Sequence, residues 1–388
     1  MTQEQIYHNI AQRTGGDIYL GVVGPVRSGK STFIKRFAEL MLLPRIKNEA
    51  RRARAHDELP QSAAGRTIMT TEPKFIPEKA VKIDLSGGGS FKARLIDCVG
   101  YMVDGALGHE ENEAPRLVKS PWFDHEVPFD LAAETGTRCV IREHATIGLV
   151  VTTDGSVADL PREAYLDAER RIIAELNDSG KPYVILLNCA EPDSDDARRL
   201  ATELAERYAH AVVPLNCTTM TVETLDSLLQ TLLYEFPIRE IAVRMPGWVT
   251  MLESGHWLQS AIYTAMLESA ASVHKMADLA GRRPQLGCEY ITSASLTGMD
   301  LASGSVGINA VVAPDIFYKI LGEQTGLDIV DEASLLPCVV SLARAKRAYD
   351  KIKSALDQVE ATGYGIVMPG IDELTLEEPE IVRQGGQY

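Results

Sequence analysis

The chain has 388 residues, of which 45% are hydrophobic and 24% are charged, a composition typical of a globular protein with two or three domains. Its 39 basic and 54 acidic residues give a net charge of −15, which argues against a nucleic acid bound through a broad basic face. The first residues lack the basic and apolar regions of a signal peptide, and no apolar stretch is long enough to span a bilayer. Any membrane association is therefore expected to come through a surface or a partner.

The six cysteines are scattered along the chain and form no C-x-x-C pair. This spacing favours reduced, buried thiols in a cytosolic protein over disulfides or a zinc site. The six are Cys98, Cys139, Cys189, Cys217, Cys288 and Cys338.

Residues 24–31 match the pattern G-x-x-x-x-G-K-[ST] at every required position. Residues 18–23 are predicted as a short buried strand, and residues 32–40 have apolar side chains at helical spacing. A strand, a glycine-bearing loop and a helix start place successive backbone N–H groups around a phosphate, at the positive end of a helix dipole. An ordinary glycine turn is the alternative, but the flanking elements favour a nucleoside triphosphate site. The residues predicted to contact the nucleotide here are Gly24, Pro25, Val26, Arg27, Ser28, Gly29, Lys30, Ser31 and Thr32.

Within this loop, Lys30 is predicted to reach the β- and γ-phosphates as a catalytic residue, and the Ser31 hydroxyl is predicted to hold Mg²⁺. A polar, arginine-rich stretch follows at residues 45–65, with Arg51, Arg52 and Arg54 close together. Arginines in such a stretch usually form a solvated face, and a phosphate or subunit contact is the alternative.

Residues 65–73 precede the second predicted strand, in the place where GTPase-like proteins carry a threonine that senses the γ-phosphate and Mg²⁺. Thr70 and Thr71 are the candidates for this catalytic role, with Thr70 as a candidate metal ligand. The alternative is that both are β-formers at the entry to a strand.

A glycine-rich hairpin is predicted at residues 74–97, with strands at 74–85 and 91–97. An antiparallel hairpin inside a mostly parallel sheet is typical of GTPase-like P-loop proteins. The second strand ends in D-x-x-G, so Asp97 is predicted to support Mg²⁺ and catalysis, and the N–H of Gly100 is predicted to approach the γ-phosphate. A long insertion at residues 104–145 follows.

The sheet is predicted to resume with strands at 146–151, 183–187 and 211–215, with helices at 162–177 and 221–234. After the strand at 183–187, Asn188 begins the run Asn-Cys-Ala-Glu, where GTPases read guanine with N-K-x-D. The missing lysine and aspartate favour an ATPase, with Asn188 as a nucleotide contact. The residue after D-x-x-G is Tyr101, where many GTPases place a water-orienting glutamine. Hydrolysis is therefore expected to use another group, or to be slow until a partner or neighbouring subunit completes the site.

The resulting fold class is α/β, a P-loop NTPase of the GTPase-like class with a mixed, mostly parallel sheet, followed by a smaller α/β domain. We predict a P-loop ATPase domain at residues 1–240 and a middle α/β domain at 241–370. In the middle domain, long helices are predicted at 256–280 and 333–361, and strands at 290–296 and 306–312.

Five segments of this sequence closely resemble the stage IV sporulation protein A family, the cytoskeletal ATPases of endospore-forming bacteria. They are GPVRSGKSTFIKRF (24–37), TIMTTEPKFIP (67–77), ARLIDCVGYMV-x-GA (93–106) and the late TGYGI with EPEIVRQG (362–366 and 378–385). The resemblance implies ATP and Mg²⁺ as ligands, Walker A and Walker B roles for Lys30 and Asp97, and a sensor role for Thr70 and Thr71. Because the family continues into a C-terminal domain, residues 371–388 are expected to begin a linker.

The resemblance also implies a location and partners. Members of the family polymerise in the mother-cell cytosol, on the outer surface of the forespore membrane, where a small amphipathic membrane-bound peptide anchors them. Their polymer is the base on which coat proteins assemble. The alternative function is a GTPase-like regulatory switch that signals to a partner without polymerising. Such a switch is expected to keep a guanine reader, which this sequence lacks.

Overall fold

The structure is a computed structural model that describes residues 1–60, 72–84, 90–103, 105, 110–111, 114–158 and 160–368. By its internal contacts the chain divides into two units, Met1–Val311 and Val312–Tyr388. The first unit contains a six-stranded sheet and a three-stranded sheet, and the second contains two helices. Within the described residues, no helix is long and apolar enough to cross a membrane.

The helices of the described residues, in chain order, are α1 (Gln3–Arg13), α2 (Lys30–Phe37), α3 (Glu49–Asp57), α4 (Phe129–Cys139), α5 (Leu166–Ser179), α6 (Asp195–Tyr208), α7 (Val222–Glu235), α8 (Gly247–Thr250), α9 (Trp257–Ala271), α10 (Met276–Leu279), α11 (Pro314–Thr325) and α12 (Glu332–Thr362). The strands are β1 (Asp17–Val23), β2 (Lys74–Asp84), β3 (Ser90–Asp97), β4 (Glu110–Glu111), β5 (Ala114–Pro115), β6 (Leu117–Val118), β7 (Val127–Pro128), β8 (Ile147–Thr153), β9 (Tyr183–Asn188), β10 (Val212–Leu215), β11 (Glu240–Arg244), β12 (Ile291–Asp300) and β13 (Ser305–Val312). Short 3-10 or π-helical turns lie at Ala38–Leu42, Leu43–Arg45, Val140–His144 and Arg162–Tyr165.

The large sheet has the strand order β10-β9-β8-β1-β3-β2. Its neighbouring strands are parallel except β2, which pairs with β3 in the antiparallel direction. Every residue of β8 and β9 is buried, as expected for parallel strands covered by helices on both faces. The mixed, mostly parallel sheet confirms the predicted fold class.

Two hydrophobic clusters cover the faces of this sheet. The first includes Ile6 of α1, Phe33 of α2 and Leu228 of α7, each at most 2% exposed. The second includes Ile172 and Leu176 of α5, packed with residues from the centre of the sheet. Because both faces are covered by helices, the carboxyl ends of the parallel strands are the place where a ligand can meet the backbone.

The smaller sheet has the order β11-β13-β12, and β11 pairs with β13 in the parallel direction. Val306 and Ile308 of β13 are buried in the same cluster as the helices of the first face. A smaller α/β region therefore follows the P-loop part, as predicted. The domain bounds at residues 240 and 370 stay predictions, and residues 371–388 lie outside the described residues.

One predicted helix is wrong in extent. Residues 256–280 do not form a single helix, because α9 ends at Ala271 and α10 begins at Met276. Between them the chain pairs with the segment after α7, where the N–H of Ile238 donates to the carbonyl of His274 and Pro237 bridges to Lys275. This tertiary pairing outweighs the local helix propensity. The predicted helix at 333–361 is confirmed as α12.

A buried carboxylate joins α7 to this segment. The side chain of Glu235 is 2% exposed, and Lys275 Nζ lies 2.7 Å from its Oε2. The Nδ1 of His210 lies 2.6 Å from the same oxygen, and the N–H of Ala211 donates to Oε1 at 3.1 Å. Burial alone would raise the pKa of Glu235, but these hydrogen bonds and the charge of Lys275 outweigh it and lower the pKa.

We expect Glu235→Ala to lower the free energy of unfolding by about 3 kcal/mol, because the half-buried Lys275 would lose its carboxylate partner and the N–H of Ala211 would lose its acceptor. The double variant Glu235→Leu with Lys275→Met should lose less, since no charge stays buried unpaired. The control is Glu203→Ala, which removes the exposed pair between Glu203 and Arg207 and should cost at most about 1 kcal/mol. Urea unfolding measures all three variants, and a double variant as unstable as Glu235→Ala would contradict the expectation.

Candidate functional site

The predicted phosphate loop lies at the carboxyl end of β1, between β3 and β8. Gly24 leaves the strand with φ +150°, and a Cβ built on it would lie 2.2 Å from the carbonyl oxygen of Val151 in β8. At the other end of the loop Gly29 has φ +104° and caps α2. Both positions require glycine, because an L side chain meets backbone or polar atoms there and the conformation is left-handed at Gly29.

Lys30 is the buried cation of the loop. Its side chain turns back over the loop, and its Nζ donates to the carbonyls of Gly24 at 3.2 Å and Pro25 at 2.6 Å. Burial lowers the pKa of Lys30, and nearby Cys98 and Asp97 partly offset that effect. A phosphate bound here would supply the negative charge that favours the protonated amine.

The hydroxyl of Ser28 is buried and has no hydrogen-bond partner within the described residues. Buried hydroxyl groups in proteins are almost always hydrogen-bonded, so an unsatisfied one at the centre of a phosphate loop points to a polar ligand. Ser31 and Thr32 follow at the start of α2 and are half-buried. Their hydroxyl groups lie in the first turn of the helix, where the dipole favours an anion.

The D-x-x-G segment packs directly on this loop. A Cβ built on Gly100 would lie 2.0 Å from the carbonyl oxygen of Gly24 and 2.7 Å from Nζ of Lys30. The N–H of Val26 donates to the carbonyl of Tyr101 at 2.9 Å, so the two segments also share a backbone hydrogen bond. The structure therefore brings the two predicted phosphate motifs together.

Asp97 ends β3 at the edge of the site. Burial raises the pKa of its carboxyl group to about 6, while the positive charges of Lys30 and Lys74 act in the opposite direction. A carboxylate with a raised pKa gains most from a cation placed beside it.

Tyr101 follows Gly100 but does not face solvent. Its ring is 1% exposed and belongs to the hydrophobic cluster against α5. The guanidinium of Arg171 lies over the ring, 4.9 Å from its centroid. In this structure Tyr101 is thus a core residue that cannot orient a water molecule at the phosphate loop.

Asn188 supports the phosphate loop through both ends of its amide. Its Nδ2 donates to the carbonyl of Ser28 at 3.0 Å, and its Oδ1 accepts from the N–H of Cys217 at 3.1 Å. A Cβ on Gly29 would lie 2.2 Å from that Nδ2, so the amide also closes the space beside the loop. Asn188 therefore holds backbone segments together, and its direct contact with the nucleotide stays a prediction.

The sequence analysis missed a buried ionic network beside the site. Arg162 donates from both terminal nitrogens to Glu169, at 2.6 and 2.8 Å, and also to Oγ1 of Thr152 at 2.9 Å. Tyr208 donates to Glu169 at 2.8 Å. These bonds attach the segment after β8 to α5. In the sequence Arg162 and Glu169 look like ordinary surface charges, and only the folded structure shows that they bind each other.

The residues present fit a nucleoside triphosphate with Mg²⁺. The loop offers a buried lysine, an unsatisfied hydroxyl and a space closed to side chains, all of which suit phosphate oxygens. Within the described ranges, no group of three or more His, Cys, Asp or Glu residues could hold a metal ion. The hydroxyl of Ser31 and the carboxylate of Asp97 suit Mg²⁺ that is also bound by phosphate, since this ion takes few protein ligands and keeps substrate oxygens.

Two family models together match the whole chain. The model described as the stage IV sporulation protein A ATPase domain matches residues 1–237, and that for the middle domain matches residues 238–388. The chain belongs to the stage IV sporulation protein A family. Residues 1–237 are thus the ATPase domain of a sporulation protein, with a nucleotide as its substrate class.

Individual relatives agree with the family models. The chain is 45% identical over 392 residues to stage IV sporulation protein A of Bacillus subtilis (strain 168), covering 100% of this chain and 79% of the relative. It is 44% identical over 384 residues to that of Clostridioides difficile (strain 630), covering 99% of this chain and 78% of the relative. For stage IV sporulation protein A of Bacillus anthracis the identity is 43% over 389 residues, covering 100% of this chain and 79% of the relative.

Most of the predicted site residues lie together in the structure. Loop residues 24–32, Gly100 and Asn188 are linked by the contacts described above, and Asp97 lies at the end of the adjoining strand. The predicted sensors Thr70 and Thr71 lie outside the described residues. The catalytic, nucleotide-binding and metal-binding roles of all these residues stay predictions.

We expect Asn188→Ala to weaken the binding of ATP and of GTP by the same factor, about tenfold for the loss of two buried hydrogen bonds. The factor should be equal because the bonds support a loop that holds phosphates common to both nucleotides. The control is Asn216→Ala, since this amide also bonds the backbone, at Ala190 and Thr218, without contacting the phosphate loop. Calorimetric titration measures the affinities, and a change confined to ATP would show that Asn188 recognises the base.

Proposed function

We propose that the chain is a Mg²⁺-dependent ATPase whose hydrolysis drives self-assembly of a cytoskeletal platform on the forespore surface, the base layer for the spore coat. The observation that carries this proposal is the contact between the phosphate loop and Gly100, within a chain that belongs to the stage IV sporulation protein A family. That contact connects the segment that would sense the γ-phosphate to the loop that would hold it.

Each group at the site has a distinct part in this proposal. Lys30 would exchange its bonds to the loop carbonyls for bonds to the β- and γ-phosphates, which are stronger because both partners are charged. Ser31 and Asp97 would hold Mg²⁺, which neutralises phosphate charge when bound. Thr70 and Thr71 would sense the same γ-phosphate.

ATP is the preferred nucleotide in this proposal. The run from Asn188 to Glu191 lacks the lysine and aspartate of a guanine reader. The amide of Asn188 is engaged with backbone groups, and Glu191 is exposed. A GTPase-like regulatory switch would need an aspartate that accepts from guanine, so the arrangement favours the structural ATPase.

The location and partners are proposed from the family resemblance. The protein would act in the mother-cell cytosol, at the outer surface of the forespore membrane, and would bind further copies of itself. A small amphipathic membrane-bound peptide would attach it, and coat proteins would bind to the polymer. Membrane contact through a partner agrees with the lack of a membrane-spanning helix in the described residues. The net charge of −15 makes a nucleic-acid partner unfavourable.

We expect Lys30→Ala to weaken ATP binding at least tenfold, because a charge-assisted contact contributes about 1.5–3 kcal/mol. Asp97→Ala should retain part of the binding but lose Mg²⁺-dependent hydrolysis. Lys35→Ala is the matched control, since this lysine lies on the same helix outside the loop. Binding and turnover are measured with ATP and GTP, and unchanged turnover in Lys30→Ala or Asp97→Ala would refute the site.

Assembly should depend on hydrolysis and not only on binding. We expect the protein to turn over ATP slowly, well below the roughly 10 s⁻¹ typical of enzymes, because Tyr101 is buried where a glutamine would orient water. Sedimentable polymer should form with ATP but not with a non-hydrolysable analogue. Equal sedimentation with ATP, with the analogue and without nucleotide would refute the coupling.

A further inference from the structure

Arg27 has an unusual backbone conformation for its residue type. It lies within the phosphate loop with φ +66°, in the left-handed region. Among the described residues other than glycine, only Arg27 and Ala209 have positive φ. A glycine would adopt this conformation without strain, so an arginine here lowers stability relative to the simplest alternative. Strained positions of this kind cluster at functional sites.

Among the residues that the structure describes, the side chain of Arg27 has no partner that would explain the strain. Within the part of the chain that the structure describes, its guanidinium makes no hydrogen bond or ion pair, and the residue is half-buried. Lys30, the other cation of the loop, is bonded to two loop carbonyls. By contrast, Arg162 beside the site satisfies its terminal nitrogens with Glu169 and Thr152. No described residue therefore competes with a ligand at the loop for the Arg27 guanidinium.

A further positive group beside the transferring phosphate would favour the hydrolytic reaction. Phosphoryl transfer develops charge on the γ-phosphate and on the oxygen that bridges it to the β-phosphate. The usual water-orienting glutamine is replaced by Tyr101, which is buried in the core. Lys30 and Mg²⁺ would already neutralise charge in the bound ground state. A group that acts on the transition state would add to their effect.

We propose that Arg27 is a catalytic residue that donates hydrogen bonds from its own protomer to the transferring phosphate, as an arginine finger in cis. A water oxygen forms a bond to the γ-phosphorus while the bond from phosphorus to the bridging oxygen breaks. The electron pair of that bond stays on ADP, and the proton released by water passes to the phosphate product. Arg27 remains protonated throughout, since guanidinium does not lose its proton in proteins. This assignment rests on the proposed ATPase function.

The test compares Arg27→Gly, Arg27→Asn and Arg27→Lys with the unchanged protein. Glycine and asparagine both tolerate the left-handed conformation, and asparagine does so without the extra backbone freedom of glycine. We expect kcat to fall at least about 100-fold in all three, because arginine fingers contribute about 10³–10⁵ and lysine lacks the planar fork. The Kd for ATP should change by less than about threefold, because the contact belongs to the transition state. The Tm of Arg27→Gly should be equal or higher.

A transition-state mimic gives a second readout that does not depend on turnover. The unchanged protein should bind ADP more tightly when aluminium fluoride is added, and the three variants should lose this gain while binding ADP normally. The matched control is Ala209→Gly, which replaces the other residue with positive φ, at the C-terminal cap of α6. Its turnover should equal that of the unchanged protein.

Several results would overturn the proposal. These are turnover of Arg27→Gly within about threefold of the unchanged protein, or a loss of ATP affinity as large as the loss of kcat. Recovery of activity on mixing Arg27→Gly with Lys30→Ala would show that the arginine acts between protomers and would refute the cis assignment. Failure of the unchanged protein to bind ATP would instead refute the proposed function. If the unchanged protein and Arg27→Gly both hydrolyse ATP at similar rates, only the role of Arg27 is refuted and the proposed function stands.

Discussion

The site depends on backbone segments packed against each other with no room for side chains. Gly24 lies on the carbonyl of Val151, and Gly100 lies on the carbonyl of Gly24, at distances where a Cβ atom would overlap the oxygen. The backbone at the carboxyl ends of three adjacent strands, β8, β1 and β3, is therefore in direct contact. Because protein interiors have low compressibility, a shift of one of these segments would press on its neighbour.

Polar groups around this contact supply the rigidity that the glycines cannot. Asn188 ties Ser28 to Cys217, and Arg162 with Glu169 ties the segment after β8 to α5. The bonds of Asn188 are buried and those of Arg162 are partly buried, so breaking one of them would cost more than breaking an exposed bond. The loop can therefore keep a left-handed Arg27 and a buried Lys30, both of which are unfavourable by themselves.

The same first unit carries a second buried charge at Glu235, between β10 and the segment before α10. Its partners come from residues 210 and 275, which are far apart in sequence. This ion pair lies beside the backbone pairing of Ile238 with His274, in the segment that separates α9 from α10. A local pattern of apolar residues predicted one helix there, and tertiary pairing decided against it.

The sequence by itself determined the fold class and the core of the candidate site. Apolar runs at strand and helix period, an eight-residue phosphate pattern and a hairpin before Asp97 are local signals, and each describes a backbone that forms largely from its own residues. The tertiary structure alone decided what the individual side chains do. Asn188 supports a loop, Tyr101 joins the core, and Arg162 pairs with the buried Glu169. These roles depend on neighbours that are brought close only by the tertiary structure. Periodicity and motif spacing carry no information about such neighbours, whose positions are set by packing and by the pairing of buried charge.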